Sequence, residues 1–377
     1  MNILFLTKAF PEPGNEVKGS YVYQRYALLR RWGHRVTVCK PHHIRQGLSL
    51  VLRKPYSLEP ISGEKETVRI ASYFEFPFTS CRIGLYSALR RIVEEERIDL
   101  VVAHATHYGW GAFLLWKKLG LPYVVVSHGS DVHQLHKGPN RAYQEAKRIL
   151  ENAQKALFVS KFLMNRCIDL GIDCDGEVIP NGFRPPKIQP VKKNFEDFVL
   201  GFVGGLIEIK RARFLPDILE KVLLHIPTAR MVLVGDGSGR IEVEKAIEEK
   251  NLQEKIQLLG RVDHQKVMAT IAGLDVLLLP SRNEGMGIVI LEANSQGVPV
   301  VGSANGGIPE TLGDGGLLVE DGPQWIEDFA QAIIKLHHEP IPSDTLVKRV
   351  QGMTWEQTVQ KEIRVFESVV TSRRPAL

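Results

Sequence analysis

The sequence predicts an α/β protein made of two doubly wound domains, each a parallel sheet covered by helices on both faces. Three observations predict it. Short β-branched runs alternate with amphipathic stretches along both halves of the chain. A proline-rich interruption separates the halves. The length, 377 residues, suits two domains, each large enough for its own core.

In the first half, residues 2–7, 35–39, 100–103, 123–127, 155–159 and 177–179 read as strands. Residues 19–32, 82–97, 109–119, 141–153 and 161–170 read as helices, because apolar side chains recur at three- and four-residue spacing. Residues 58–69 read as loop or an edge strand. From Ile179 to Pro190 the chain carries four prolines and a glycine, which reads as a linker. Alternation then restarts. Strands are expected at 197–203, 229–234, 256–259, 276–279 and 299–301, and helices at 210–225, 240–251, 264–272, 287–296 and 324–337. The domain boundaries this implies are 1–183 and 184–354. A terminal helix at about 355–372 either completes the second domain or crosses back to the first. Ligands of open α/β sheets bind beyond the carboxyl ends of the strands. Two such domains facing each other would place a site in the cleft between them.

Composition narrows the class. Hydrophobic residues make up 44% and charged residues 24%, ordinary globular values that exclude a disordered chain. Cys39, Cys81, Cys167 and Cys174 are too few for a disulfide scaffold and read as free thiols. Residues 1–190 hold 27 basic against 17 acidic side chains, a net +10, while the remainder holds 21 against 26, a net −5. A basic half suggests an anionic partner. The N-terminal apolar run is too short for a signal peptide, and no stretch has the length of a membrane span. A cytoplasmic protein is expected, with peripheral contact at an anionic membrane as one use of the basic half.

The strongest chemical feature runs from Leu279 to Ala293, where a strand ends, a glycine-containing loop follows and a helix starts near Gly287. Amides opening a helix lack intrahelical acceptors and favour anions and hydroxyls. Gly285 and Gly287 let a ligand approach the backbone. Glu284 in the loop and Glu292 in the helix can hold two groups of one ligand, since carboxylates accept from hydroxyls.

Glu284 and Glu292, with the downstream Gly297-Val-Pro-Val-Val301 and Gly306-Gly-Ile-Pro-Glu310, closely resemble the retaining glycosyltransferases of the GT-B fold, glycosyltransferase family 4. The resemblance extends over nearly the whole chain, through Gly33-His-Arg-Val-Thr-Val38, Ser127-His-Gly-Ser-Asp131, Val178-Ile-Pro-Asn-Gly182, Val232-Leu-Val-Gly-Asp-Gly237 and Leu259-Gly-Arg-Val262. It implies two Rossmann-like domains. It also implies a nucleotide-sugar donor, UDP-linked, and transfer to an acceptor hydroxyl, as in a lipid-linked or cell-surface glycan precursor.

The resemblance assigns roles residue by residue. Glu292 binds the ribose hydroxyls. Glu284 contacts the donor sugar, with the backbone of Gly285, Met286, Gly287 and Ile288 around it. Lys210 sits on the donor diphosphate. Gly204 and Gly205 open that segment; Gly205 stands where the family carries an arginine, and Arg211 replaces a usual glycine. His128 faces the donor sugar and can hydrogen-bond it in either protonation state. Gly19 belongs to a glycine-rich loop near the phosphates. Arg261 and Val262 receive the nucleobase, and Asn181-Gly182 is a hinge. His128, Glu284 and Lys210 are the catalytic candidates. His104 and His107, at a strand end, are candidates to line the cleft.

Other signals carry less. Gly235-Asp-Gly-Ser-Gly239 lacks the G-x-G-x-x-G spacing of a dinucleotide loop. Asp173-Cys-Asp175 resembles a metal-binding D-x-D but stands far from the other motifs. Cys167 and Cys174 lack zinc-ligand spacing. Neither cofactor nor metal is expected. The alternatives are another GT-B-fold enzyme, such as a nucleotide-sugar epimerase or a phosphorylase, and a nucleic-acid-binding protein using the basic half. No pyridoxal-binding lysine and no dense basic run support the last two. Arg30-Arg31, Arg45, Arg53-Lys54, Arg90-Arg91 and the aromatic run Tyr73–Phe78 are the candidate membrane contacts.

Overall fold

The computed structural model describes residues 1–13, 15, 18–43, 45–46, 49–50, 55–58, 66–75, 82–185 and 197–372. Arg53, Lys54, residues 76–78 of the aromatic run, Cys81 and residues 186–190 of the expected linker lie outside them. The chain forms two compact units, one of residues 1–180 with 355–377 and one of residues 181–354.

The first unit is built on strands β1 (Asn2–Leu6), β2 (Arg35–His43), β3 (Tyr56–Leu58), β4 (Glu66–Glu75), β5 (Leu100–His104), β6 (Tyr123–Ser127), β7 (Lys155–Phe158) and β8 (Gly176–Val178). Their order in the sheet is β8-β7-β6-β5-β1-β2-β4-β3. Every pair is parallel except β3 on β4. Residues 82–83 add a short antiparallel pairing to the end of β4. β5 and β6 are buried at all five positions, as strands covered on both faces must be. Helices α1 (Ser20–Arg31), α2 (Leu85–Glu96), α3 (Gly109–Leu119), α4 (Arg141–Glu151) and α5 (Lys161–Asp169) provide the cover. Of residues 58–69, read as loop or an edge strand, residue 58 ends β3, which is the edge of the sheet, and residues 66–69 open β4, while residues 59–65 lie outside the described residues. The ten residues of β4 mix charged and aromatic side chains with apolar ones and so lack the apolar run of a buried strand. The helix expected from residue 82 starts at Leu85, after Gly84 in a left-handed conformation.

The second unit is a six-stranded parallel sheet of β9 (Val199–Val203), β10 (Arg230–Val234), β11 (Ile256–Gly260), β12 (Val276–Leu279), β13 (Val300–Ser303) and β14 (Gly316–Val319). Its order is β11-β10-β9-β12-β13-β14. Helices α6 (Leu215–Leu223), α7 (Arg240–Glu249), α8 (His264–Ala272), α9 (Ile288–Ser295), α10 (Trp325–His338) and α11 (Ser343–Arg349) flank it. One core cluster joins the sheet to α6, α7 and α10, and another joins it to α8 and α9. The order reverses between β9 and β12, the position at which doubly wound sheets take ligands. The helix expected at 210–225 is shorter. Arg211 adopts φ 53°, so residues 208–214 form two tight turns and α6 begins at Leu215. β14 and α11 exceed the sequence expectation; glycines at 313, 315 and 316 disguise the strand as loop.

The terminal helix α12 (Trp355–Thr371) packs on α1 and belongs to the first unit. Its Glu362 lies buried against Arg25 of α1, whose guanidinium also stands over the Trp355 ring at 5.0 Å.

Candidate functional site

In the second unit the loops after β9, β10, β11, β12 and β13 all leave from the carboxyl ends of the strands. The segment after β9 passes through Gly204 and Gly205 into the turn at 208–210, and the Arg282 amide donates to the Ile209 carbonyl at 2.8 Å. This bond ties the β9 loop to the β12 loop. It brings the Lys210 ammonium into an ion pair with Glu284, whose Oε1 also accepts from the Ser281 hydroxyl at 3.0 Å. Lys210 and Glu284, 74 residues apart, therefore form one charged cluster over the strand ends.

Two glycines hold that loop from behind. The Gly307 amide donates to the Glu284 carbonyl at 2.9 Å. A Cβ at Gly306 would lie 2.9 Å from the Glu284 nitrogen and closer still to its carbonyl oxygen, and one at Gly307 would collide with the Gly285 carbonyl. The Gly306-Gly307 motif is thus a packing requirement of the Glu284 loop. Met286 is buried, and its sulfur faces the Asn181 amide at 3.1 Å. Gly287 takes φ 84° directly before α9, so the chain turns sharply and the helix opens at Ile288. The first amides of α9 face the same end of the sheet. Glu292 follows within the helix, mostly buried, its Oε1 3.0 Å from Nε2 of His264 at the start of α8. Arg261 is exposed and Val262 half-buried in the loop between β11 and α8.

Arg211 does not join the Lys210–Glu284 cluster. Its guanidinium forms a two-pronged pair with Asp321 at 2.5 and 3.0 Å, stands over the Trp325 ring at 4.6 Å and is 8% exposed. The pairing holds the Asp321 carboxyl below its usual range. Arg211, expected on the donor side, is thus held by Asp321 and Trp325 in this structure. The position favours glycine for a backbone reason, the left-handed φ.

In the first unit, His128 follows β6 in a loop organised by Asp131. The Asp131 carboxylate accepts from the amides of His128 at 3.1 Å, Gly129 at 3.0 Å and Thr106 at 2.8 Å, and from the Thr106 hydroxyl at 3.1 Å. His128 stacks on His104, with Nε2 3.2 Å from His104 Nδ1, while the Tyr21 ring lies 4.5 Å away on another side. Burial drives both imidazoles well below the ordinary histidine range, and the Arg25 guanidinium adds to it. That direction favours a neutral His128 imidazole at neutral pH. Gly19 caps the start of α1 with φ 65°, and His107 is exposed.

The sequence assigns no role to Asp131, His264 or Ser281, and gives His104 only a place lining the cleft. Asp131 was visible inside the Ser127–Asp131 motif. The other three act through contacts that only the fold creates. Among the described residues, no group of three histidine, cysteine or carboxylate side chains is placed to hold a metal, and Asp175 pairs with Lys155 at 2.7 Å. Of the basic pairs on the first unit, Arg90 and Arg91 are each paired with a glutamate one turn on, Glu94 at 2.6 Å and Glu95 at 3.7 Å.

The chain thus carries two Rossmann-like α/β units, the second with a lysine–carboxylate cluster over its strand ends. Two family models match the chain: glycosyl transferases group 1 over residues 197–339, and glycosyltransferase family 4 over residues 19–185. The chain belongs to this family of GT-B glycosyltransferases. Among curated proteins it is 29% identical over 303 residues to an uncharacterised glycosyltransferase of Methanocaldococcus jannaschii, covering 78% of this chain and 82% of the relative. It is 28% identical over 322 residues to N-acetyl-alpha-D-glucosaminyl L-malate synthase of Bacillus anthracis, covering 78% of each. Among solved structures, Anabaena HepE in complex with UDP shares the fold at a TM-score of 0.73 and 19% identity, with 98% of this chain and 100% of that one covered.

Proposed function

We propose that the protein transfers a sugar from a UDP-linked donor to an acceptor hydroxyl with retention at the anomeric carbon. The observation that carries this reading is the joining of Lys210 and Glu284 at the carboxyl ends of β9 and β12, beside the opening of α9. In this reading the donor diphosphate competes with Glu284 for the Lys210 ammonium. The freed carboxylate accepts from sugar hydroxyls, and the amides of Gly285, Met286 and Gly287 hold the rest. Glu292 binds the ribose, and the backbone at Arg261 and Val262 receives the base. Neutral His128 hydrogen-bonds the sugar. As the bond to the sugar breaks, Lys210 and the start of α9 meet the charge growing on the diphosphate, without a metal in this role. The departing phosphate oxygen accepts the proton of the attacking hydroxyl. The UDP in the HepE complex, and the N-acetylglucosaminyl group in the name of the Bacillus anthracis relative, support this donor class.

The test is donor turnover with Glu292→Ala and Lys210→Ala. Large losses are expected in both, and near-normal activity in both contradicts the assignment. NMR of the product's anomeric proton tests retention. The net +10 of residues 1–190 supports an anionic acceptor, and a lipid-linked precursor at an anionic leaflet is the form proposed. Salt-sensitive co-sedimentation with anionic vesicles is expected; its absence contradicts the membrane part alone.

A further inference from the structure

His264 and Glu292 are 28 residues apart and meet because α8 and α9 lie side by side on one face of the second sheet. The His264 backbone is fixed where it stands: Asp263 caps α8, accepting from the Lys266 amide at 2.9 Å, and His264 is the first helical residue. A carboxylate can only accept, so the His264 ring donates from Nε2 to Oε1 of Glu292. Among the described residues no other side chain holds that carboxylate. The Glu292 side chain is 14% exposed and that of His264 48%, so the pair stands at a surface a ligand can reach.

We propose that His264 is a positioning residue for ribose recognition: by holding Oε1 of Glu292 it presents the second oxygen to the paired hydroxyls of the donor's ribose. This rests on the reading of Glu292 as the ribose carboxylate. A free glutamate side chain must be ordered when ligand binds, and that cost falls on affinity. With His264 in place the ordering is made beforehand. The effect therefore belongs to nucleotide binding and depends on the ribose hydroxyls.

The test uses the full chain and isothermal titration with UDP, GDP and their 2′-deoxy counterparts, carrying forward the diphosphate that binds more tightly. His264→Ala is expected to weaken ribonucleotide binding about three- to tenfold and 2′-deoxynucleotide binding less than about twofold. His264→Gln, whose amide also donates, is expected to bind within about twofold of the native chain. Unchanged binding in His264→Ala, or equal losses with both nucleotides, overturns the proposal. Glu292→Ala separates the two layers. If that variant binds the ribonucleotide normally, or the native chain binds neither diphosphate, the reading of Glu292 fails and takes the proposal with it. If Glu292→Ala weakens binding and His264→Ala does not, the role of His264 alone is wrong.

Discussion

Arg25 Nε lies 2.7 Å from Glu362 Oε1, and both side chains are essentially closed to solvent. The pair joins α1 to α12 across 337 residues of sequence. Buried ion pairs are expensive to form, yet removing one partner strands the other charge in a dry site. Glu362→Ala is therefore expected to lower stability by about 3–5 kcal/mol, read from urea unfolding. Replacing both partners with apolar residues of similar volume should recover most of the loss. A loss below about 1 kcal/mol in the single variant would show that water reaches Arg25.

The His104–His128 pair predicts a pH dependence of stability. Both folded-state pKa values lie below the unfolded value near 6.5, so the unfolded chain takes up these protons first. The pair's contribution is complete above about pH 6.5 and is lost as pH falls below it, at about 1.4 kcal/mol per pH unit for each proton. Urea unfolding between pH 7.5 and 5 checks this. His104→Asn should flatten the slope, because one of the two groups no longer titrates.

The Gly306 contact separates activity from stability. A methyl group there collides with the Glu284 backbone, so Gly306→Ala should displace the Glu284 loop. Donor turnover is expected to fall at least tenfold, with a stability loss of about 1–3 kcal/mol from overpacking. Retained turnover in a folded variant would detach Glu284 from the reaction.

Arg211 offers the opposite case. Its charge is spent on Asp321, so Arg211→Ala should leave the donor KM within about twofold while lowering the melting temperature. A tenfold rise in KM would return Arg211 to the diphosphate.

Much of this was legible in the chain. Alternating periodicities gave two doubly wound sheets, because buried parallel strands such as Leu100–His104 and Tyr123–Ser127 read as apolar runs. Glu284, Glu292 and Lys210 stood out through spacing and resemblance. What escaped reading depends on contacts between distant residues. Arg211 looks like a free cation until Asp321, 110 positions on, is folded against it. His104 reads only as a cleft candidate at a strand end until β5 and β6 place it on His128. Asp131 is a short polar side chain in a loop, and its four bonds follow from the way two strand ends converge.

The central claim is that the Lys210–Glu284 cluster receives the donor diphosphate. Calorimetric titration of UDP and UMP into the native chain and Lys210→Ala tests it most directly. The account predicts that the variant loses about tenfold or more in UDP affinity and much less in UMP affinity, because the β-phosphate needs the ammonium. UDP binding of native strength in Lys210→Ala would contradict it.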